Sequence, residues 1–250
     1  MLLYKYCRTD GINVLKECNL RFSPPSKFND PFELLPKVTY PRKETLLTIH
    51  NTRLSLKESL GQYFGVLSLS YNMDNITMWA HYAEGHKGMV VELETDEIGK
   101  MENGKNIQVY KVKYTQKRVP VQFDDKYKPT FGEDLTDLVV TKSNIWAQED
   151  EYRILFKCKE FKMNQDGYYY QPIAPLGIKS VILGCACDKK LVDDVIIELT
   201  AERYRHVKLF HAHMDNHDFK LIMFDLTDSL DKFRKTKDSS EFFAKLVTIK

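Results

Sequence analysis

The chain of 250 residues lacks several features that would assign it to a structural class directly. No apolar run approaches the ~20 residues of a membrane-spanning helix, so we do not expect a membrane protein. Five cysteines are present, an odd number with no Cys-x-x-Cys spacing, which argues against a disulfide framework. The sequence also has no internal repeat and no low-complexity tract. What remains is typical of a globular protein.

Several catalytic motifs are missing as well. The sequence has no glycine-rich phosphate loop, no Gly-x-Ser-x-Gly elbow and no recognisable Cys-His nucleophile arrangement. A net charge of +2 does not favour a polyanionic partner, because such proteins usually concentrate basic residues on one face. Local basic stretches at Lys111–Arg118 and Lys232–Lys237 leave nucleic acid open as a partner.

The first eleven residues, MLLYKYCRTDG, contain Lys5 and Arg8 but no extended apolar segment. This pattern predicts neither a secretory signal nor a transit peptide. Together with the unpaired number of cysteines, it predicts a cytoplasmic protein without a membrane partner.

The stretch from Gly65 to Leu93 holds the densest set of aromatic and polar groups, and it predicts a strand, a short helix, a turn and a second strand. Ser68 and Ser70 alternate with leucine on the first strand, so one strand face presents hydroxyl groups. Asp74 or Asn75 is expected to cap the helix that follows. These serines are therefore candidates for binding as well as for packing.

The helix of this stretch carries Trp79 and Tyr82 on one face. Core packing is the better interpretation for Trp79. For His81 and His86, a role in a cleft and a purely structural role both stay open. The two histidines are five residues apart, which is not the spacing of a helical zinc pair.

The strongest candidate for chemistry is the segment KSNIWAQEDEYRIL, in which a helix predicted over Leu135–Trp146 gives way to a strand. Acidic side chains at Glu149 and Glu151 lie at the mouth of this strand. Arg153 shares a strand face with Glu151, and contact between the two would keep Glu151 ionised. A capping cluster beside an exposed strand edge is the alternative.

Two sequence patterns suggest a metal site. His211, His213 and His217, with nearby aspartates, resemble a metal-binding group, but hairpin tips are often polar and no metal is expected there. Asp150 followed by Glu160-Phe161-Lys162 loosely imitates the acidic pattern of magnesium-dependent nucleases. Such triplets are frequent in a chain with 29% charged residues.

Strands and helices mix along the chain without a regular strand-helix-strand alternation, which predicts an α+β fold. We expect mixed, mostly antiparallel sheets flanked by helices in a single domain over residues 1–250. Residues 232–250 are expected to form a peripheral C-terminal helix.

The chain resembles a bacterial family known as a domain of unknown function. The resemblance depends on FNDPFE at Phe28–Glu33, MWAHYAEGHKG at Met78–Gly88 and the WxxExEYR pattern at Trp146–Arg153, and it covers nearly the whole chain. This family name implies no activity.

A second, more distant resemblance suggests an enzymatic activity. The order of a polar residue on a first strand, a Ser-x-Ser strand and a late Glu-x-Glu is similar to that in the ADP-ribosyltransferase superfamily. The resemblance implies a split sheet with NAD in a cleft between its halves. It implies Glu151 as the catalytic glutamate, with Glu149 beside it. The residues implied or expected to bind NAD are Lys5, Tyr4, Ser68, Ser70, Trp79, His81, Tyr82 and Arg153.

The chain departs from that superfamily at two positions. Arginine or histidine is usual on the first strand, where Lys5 or Tyr4 stands here, and Leu69 replaces the central threonine of the serine motif. We expect an NAD-dependent ADP-ribosyltransferase-like enzyme with a protein or nucleic acid acceptor, by analogy in bacterial conflict or phage defence. The alternatives are a non-catalytic module that binds a small ligand or a protein, and a metal-dependent nuclease.

Overall fold

A computed structural model of the chain describes residues 1–98, 108–124, 129–130, 135–157 and 162–236. The chain divides into two compact units. Unit 1 consists of Met1–Leu20, Leu69–Asn106 and Pro172–Lys250, and unit 2 consists of Arg21–Ser68 and Ile107–Gln171. Each unit therefore joins segments that lie far apart in the sequence.

The described strands are numbered in chain order. They are β1 (Leu2–Cys7), β2 (Asn19–Phe22), β3 (Lys37–Thr39), β4 (Phe64–Ser70), β5 (Met89–Glu94), β6 (Val109–Lys111), β7 (Lys113–Thr115), β8 (Pro120–Phe123), β9 (Pro129–Thr130), β10 (Thr141–Ser143), β11 (Glu151–Lys157), β12 (Tyr169–Pro172), β13 (Ile178–Leu183), β14 (Lys208–Met214) and β15 (Leu221–Asp225).

The described α-helices are α1 (Asn13–Glu17), α2 (Leu46–Tyr63), α3 (Ile76–Tyr82), α4 (Thr95–Ile98), α5 (Thr136–Val139), α6 (Lys189–Leu199) and α7 (Thr227–Thr236). Short 3-10 helices cover Thr9–Ile12, Pro25–Lys27, Asn144–Glu149, Pro175–Gly177 and Glu202–Tyr204. Three of the α-helices begin at a side-chain cap: Thr45 for α2, Asn75 for α3 and Asp188 for α6. The expected cap at Asn75 is confirmed. None of the described helices is long and apolar enough to cross a membrane.

In the part of unit 1 that the structure describes, strands lie side by side in the order β15-β14-β13-β5-β1. Neighbouring strands are antiparallel except for β13 and β14, which are parallel and are joined through α6. On the other side of β1, Tyr4 pairs with Ser70 at the end of β4. This pairing puts two of the predicted binding residues on neighbouring strands.

One apolar cluster of the unit 1 core lies between this sheet and α3. Trp79 is fully buried in it, and Tyr6 packs edge-on against the indole with ring centroids 5.6 Å apart. Gly88 follows α3 where the backbone comes very close to β1, since a Cβ atom at this position would lie 2.0 Å from the carbonyl oxygen of Cys7. A glycine is therefore required to begin β5 at this distance from β1.

Unit 2 contains smaller sheets. β11 lies between β4 and β6, β8 lies between β3 and β9, and β7 pairs with β10 in parallel. Its core is formed by apolar side chains from these strands, from α2 and from α5, which are Leu34, Val38, Leu60, Phe64, Val66, Val121, Phe123, Leu138 and Val139.

The predicted α+β class with mixed, mostly antiparallel sheets and helices is confirmed. A single domain over residues 1–250 stays a prediction. The C-terminal helix over residues 232–250 also stays a prediction, because α7 covers Thr227–Thr236 and residues 237–250 lie outside the described residues.

The helix predicted over Leu135–Trp146 is wrong. This segment forms α5, then β10, and then a 3-10 helix over Asn144–Glu149. The β-branched run from Val139 to Thr141 explains the early end, because such side chains lose rotamer freedom in a helix and favour strands. Lys142 thereby lies on a strand.

Candidate functional site

Five ionisable side chains of unit 2 meet in the protein interior, and we call them the charge cluster. Its members are Glu33, Lys142, Glu149, Glu151 and Arg153, and each residue is at most 5% exposed. Three carboxylates thus face two cations. When all five are ionised, one negative charge is left in excess.

Local backbone geometry brings the late carboxylates together. Glu149 ends a 3-10 helix, and Glu151 begins β11. Between them, Asp150 adopts a left-handed conformation with φ of 40°. Aspartate tolerates this conformation better than most residues. The bend allows both glutamates to reach one ammonium group.

Lys142 is the first of the two cations. Its Nζ lies 2.5 Å from Glu149 Oε2, 3.2 Å from Glu151 Oε2 and 3.4 Å from Glu33 Oε1. The same ammonium lies 5.2 Å from the centroid of the Trp146 ring. Three carboxylates therefore surround its three N–H donors.

Arg153 is the second cation and binds Glu151 through two parallel hydrogen bonds. Its Nε donates to Oε1 at 2.8 Å, and its Nη2 donates to Oε2 at 3.0 Å. Nη2 also donates to Glu33 at 2.6 Å, while Nη1 donates to the Val139 carbonyl. The guanidinium lies over the Phe28 ring at 4.8 Å. This fork geometry fixes the orientation of both side chains.

The cluster keeps Glu151 ionised. Burial alone raises the pKa of this carboxyl, but the charges of Arg153 and Lys142 outweigh burial and bring the pKa down to about 2. A hydrogen bond from Ser68 contributes in the same direction. For Arg153, burial lowers the pKa, and the carboxylates of Glu151 and Glu33 raise it further than burial lowers it. The expected contact between Glu151 and Arg153 is thus present.

Tyr114 closes one side of the cluster. Its hydroxyl accepts a hydrogen bond of 2.9 Å from the backbone N–H of Glu151. Burial raises the pKa of this tyrosine to about 12, so the phenol stays protonated at neutral pH.

A pocket of about 280 Å³ opens beside the charge cluster in unit 2. Glu33 and Lys142 belong both to its wall and to the cluster. These two residues therefore connect the pocket wall with the charge cluster, while their side chains are only 2% and 4% exposed.

The rim of the pocket carries exposed apolar side chains. Phe32 is 66% exposed and Ile145 is 68% exposed. Arg118 lies 5.7 Å from the centroid of the Phe32 ring and donates to the Phe32 and Leu35 carbonyls. Asp30 accepts a hydrogen bond from the Phe32 N–H, which is a common way for an aspartate side chain to stabilise a turn. The FNDPFE motif thus builds one side of the pocket.

The remaining predicted binding residues belong to unit 1. Tyr4 donates to Glu92 at 3.0 Å, and Ser180 donates to the same carboxylate at 2.7 Å. Ser70 is buried and accepts from the backbone N–H of Asn72. Burial and the charge of Glu92 raise the pKa of Tyr4 to about 12.

The aromatic and basic residues of the central stretch occupy different surroundings. Trp79 donates its indole N–H to the Met73 carbonyl. Tyr82 is half-buried at the edge of the unit 1 core, whereas Lys5 is half-buried and His81 is exposed. The binding roles implied for these residues stay predictions.

The histidine-rich segment is mostly strand. His211 and His213 lie inside β14, and His217 lies in the turn that follows. Among the described residues, no group of three or more histidine, cysteine, aspartate or glutamate side chains is arranged to hold a metal ion. In the nuclease pattern, Asp150 pairs with Lys111 at 3.2 Å, while Glu160 and Phe161 lie outside the described residues.

Sequence reasoning missed several residues of these sites. Lys142 was assigned to a helix, and nothing in its local sequence indicates a role in an ion cluster. Glu33 was noted only within a family motif. Cys187 and His211 are 24 residues apart, yet their side chains are in contact. Only the three-dimensional pairing of strands reveals these partners.

Comparison with known proteins relates part of the chain to one protein family. No curated protein and no solved structure matches the chain. Two of the three motifs that suggested a domain of unknown function, MWAHYAEGHKG and WxxExEYR, lie within residues 78–154. That same range matches the model of a family described as "Protein of unknown function (DUF2971)", which confirms the predicted family resemblance for this part of the chain.

Proposed function

We propose that unit 2 binds a small ligand with a planar ring and an N–H donor in the pocket beside the charge cluster. One observation carries this proposal: a cavity of about 280 Å³ has Glu33 of the charge cluster among its wall residues and the exposed Phe32 at its rim. A buried charge beside an open cavity is a common feature of binding sites.

The chemistry of the wall favours a ligand that donates hydrogen bonds. The N–H groups of Lys142 already face three carboxylates, so we do not expect them to donate a hydrogen bond to a ligand. Each carboxylate oxygen of Glu33 has two lone pairs and can accept a further bond. An amide or exocyclic amine on the ligand matches this surface.

The size of the cavity and the position of Phe32 favour a single ring system. Ligand pockets usually measure roughly 300–1,000 Å³, so this cavity lies just below the usual range and suits a small ligand. The Phe32 ring has Arg118 near it and is otherwise well exposed, which suits stacking against a planar heterocycle. Nicotinamide and the nucleobases have these properties.

Thermal unfolding with nicotinamide, adenosine and NAD as probes tests the binding. A probe present at 100 times its dissociation constant is expected to stabilise the protein by about 2.7 kcal/mol and to raise the Tm by several degrees. Phe32→Ala should remove this shift without changing the Tm of the free protein, since the ring is 66% exposed.

Phe219→Ala is the matched control, because this phenylalanine is likewise exposed but belongs to unit 1. It should leave the shift intact. The proposal is wrong if all three probes leave the Tm unchanged, or if Phe32→Ala responds to them as the wild type does.

The second candidate is NAD-dependent ADP-ribosyl transfer, which is favoured by the hydrogen bond from Ser68 to Glu151. Loss of nicotinamide builds positive charge on the ribose, and an ionised carboxylate stabilises that charge. The low pKa of Glu151 supplies such a carboxylate. Because Glu151 faces Lys142 and Arg153, NAD would have to replace part of these contacts. A cytoplasmic location and a setting in bacterial conflict or phage defence belong to this second proposal.

Release of labelled nicotinamide from NAD in the presence of a cell lysate, which supplies protein and nucleic acid acceptors, tests this candidate. Glu151→Gln is expected to lower the rate by about 100-fold or more, as for the loss of one electrostatic contact to a transition state. Asp150→Asn is the control, since asparagine also tolerates the left-handed conformation there. Release that Glu151→Gln does not slow would remove Glu151 from the mechanism.

A further inference from the structure

We infer that Cys187 in unit 1 is a nucleophilic thiol, assisted by His211 and His213, that forms mixed disulfides with low-molecular-weight disulfides. These three residues lie outside the pocket and the charge cluster of unit 2. The inference therefore does not depend on the proposed function.

The three side chains form a continuous chain of contacts. Cys187 Sγ lies 3.5 Å from His211 Nε2, and His211 Nδ1 lies 2.5 Å from His213 Nε2. A nucleophile, a base and a third group that orients the base are the parts of an activated cysteine site. No local motif indicates this arrangement, because the contact spans 24 residues.

The sheet holds the central histidine in place. His211 is only 3% exposed, and β14 pairs it with Leu183 of β13. Phe224 on β15 packs edge-on against His213 with centroids 4.7 Å apart. Cys187 lies four residues after the end of β13, in a turn closed by its own N–H and the Gly184 carbonyl, which brings the thiol back beside the imidazole.

The contact between the histidines is compatible with a tautomer that lets His211 act as a base. When His211 Nδ1 donates to His213 Nε2, the lone pair of His211 Nε2 faces Cys187 Sγ. That nitrogen then accepts the thiol proton, and the thiolate forms beside a protonated imidazole. Thiolates next to protonated histidine are reactive at neutral pH.

The backbone around Cys187 supports the same conclusion. Cys187 directly precedes Asp188, the N-cap of the 11-residue helix α6, and a helix N-terminus favours a thiolate. Cys187 and Cys185 are both half-buried. They differ in their contacts, because Cys187 meets His211, whereas Cys185 packs against the unit 1 core and burial raises the pKa of its thiol.

The geometry favours a nucleophile over a metal ligand. The ligands of one zinc ion point their donor atoms at a common centre. Here Cys187 contacts Nε2 of His211, whereas His213 contacts Nδ1 of the same ring, so the three side chains do not converge on one ion.

The proposed reaction is a thiol-disulfide exchange. His211 takes the proton of Cys187, and the thiolate attacks one sulfur of the disulfide R–S–S–R. The new Cys187–S–R bond forms as the S–S bond breaks, and the leaving thiolate R–S⁻ takes the proton from His211. The small disulfide is the oxidant, and it is reduced to one thiol.

The experiment uses the full chain and 5,5′-dithiobis(2-nitrobenzoic acid), an aromatic disulfide that releases a coloured thiolate. At about pH 7, the wild type is expected to show a fast phase of one equivalent. Cys187→Ser should abolish this phase, while Cys185→Ser should keep it. A fast phase that survives Cys187→Ser, or is lost equally in Cys185→Ser, would overturn the inference.

The role of His211 is tested by the rate at two pH values. His211→Gln should slow the fast phase by about tenfold at pH 7, because the base is missing. At about pH 10, above the ordinary thiol pKa of ~8.5, the two rates should agree within about twofold. Equal slowing at both pH values would assign His211 a purely structural role. If His211→Gln does not fold, the rates at the two pH values are compared with His213→Gln instead, because His213 is only half-buried.

Discussion

Replacing Arg153 by methionine is expected to lower the free energy of unfolding by about 3–5 kcal/mol, because it breaks a buried ion pair by removing one partner. The side chain is 1% exposed and binds Glu151, Glu33 and a backbone carbonyl. Without it, Lys142 alone faces three buried carboxylates. The penalty comes mainly from these uncompensated charges.

Chemical denaturation monitored by circular dichroism measures this loss. The matched control is Arg205→Met, which removes an arginine whose side chain is 76% exposed in its pair with Glu202. Exposed pairs contribute about 0–1 kcal/mol, so the control should be nearly neutral. An Arg153→Met protein as stable as the control would mean that the cluster does not hold these carboxylates ionised.

The second large effect is a loss of protein stability at low pH. Glu151 has an ordinary pKa of 4.5 in the unfolded chain and one of about 2 in the folded protein. A carboxyl with a lowered folded pKa stabilises the protein above the unfolded value and loses this contribution as the pH falls. Between about pH 4.5 and pH 2, wild-type stability should therefore fall by about 3 kcal/mol because of Glu151.

Urea unfolding at several pH values, compared between the wild type and Glu151→Gln, isolates this contribution. The variant is expected to be less stable than the wild type at neutral pH. Its free energy of unfolding should, however, fall less steeply between about pH 4.5 and pH 2, because the contribution of Glu151 is absent. Glu202→Gln, at an exposed position, should reproduce the wild-type slope. Parallel slopes for the wild type and Glu151→Gln would show that Glu151 titrates normally in the folded protein.

The local parts of the site were predictable from the sequence. Glu151 and Arg153 are two residues apart on a strand, and this spacing alone puts them on one face. The asparagine cap of α3 and the turn at Asp30 follow from side-chain hydrogen bonds within a few residues. Such features depend on neighbours in the chain, which the sequence displays directly.

The long-range parts were not predictable. Glu33 reaches Arg153 across 120 residues, and no pattern near either residue indicates this contact. The apolar spacing over Leu135–Trp146 predicts a helix, whereas Lys142 lies on the short strand β10, so its partners do not follow from the pattern. The contact of Cys187 with His211 depends on the parallel pairing of β13 with β14. Tertiary pairing decides all three positions, and a single sequence does not record it.

The strand order of unit 1 has a consequence for synthesis on the ribosome. β5 pairs with β1 early, but its other neighbour, β13, begins only at Ile178, about 80 residues after β5 ends. At roughly 5–20 residues per second, β5 waits about 4–16 s with one open edge. An open strand edge of Met-Val-Val-Glu-Leu invites pairing with another nascent chain. Yield from rapid overexpression should therefore depend on translation speed and chaperone supply more than on the stability of the finished protein.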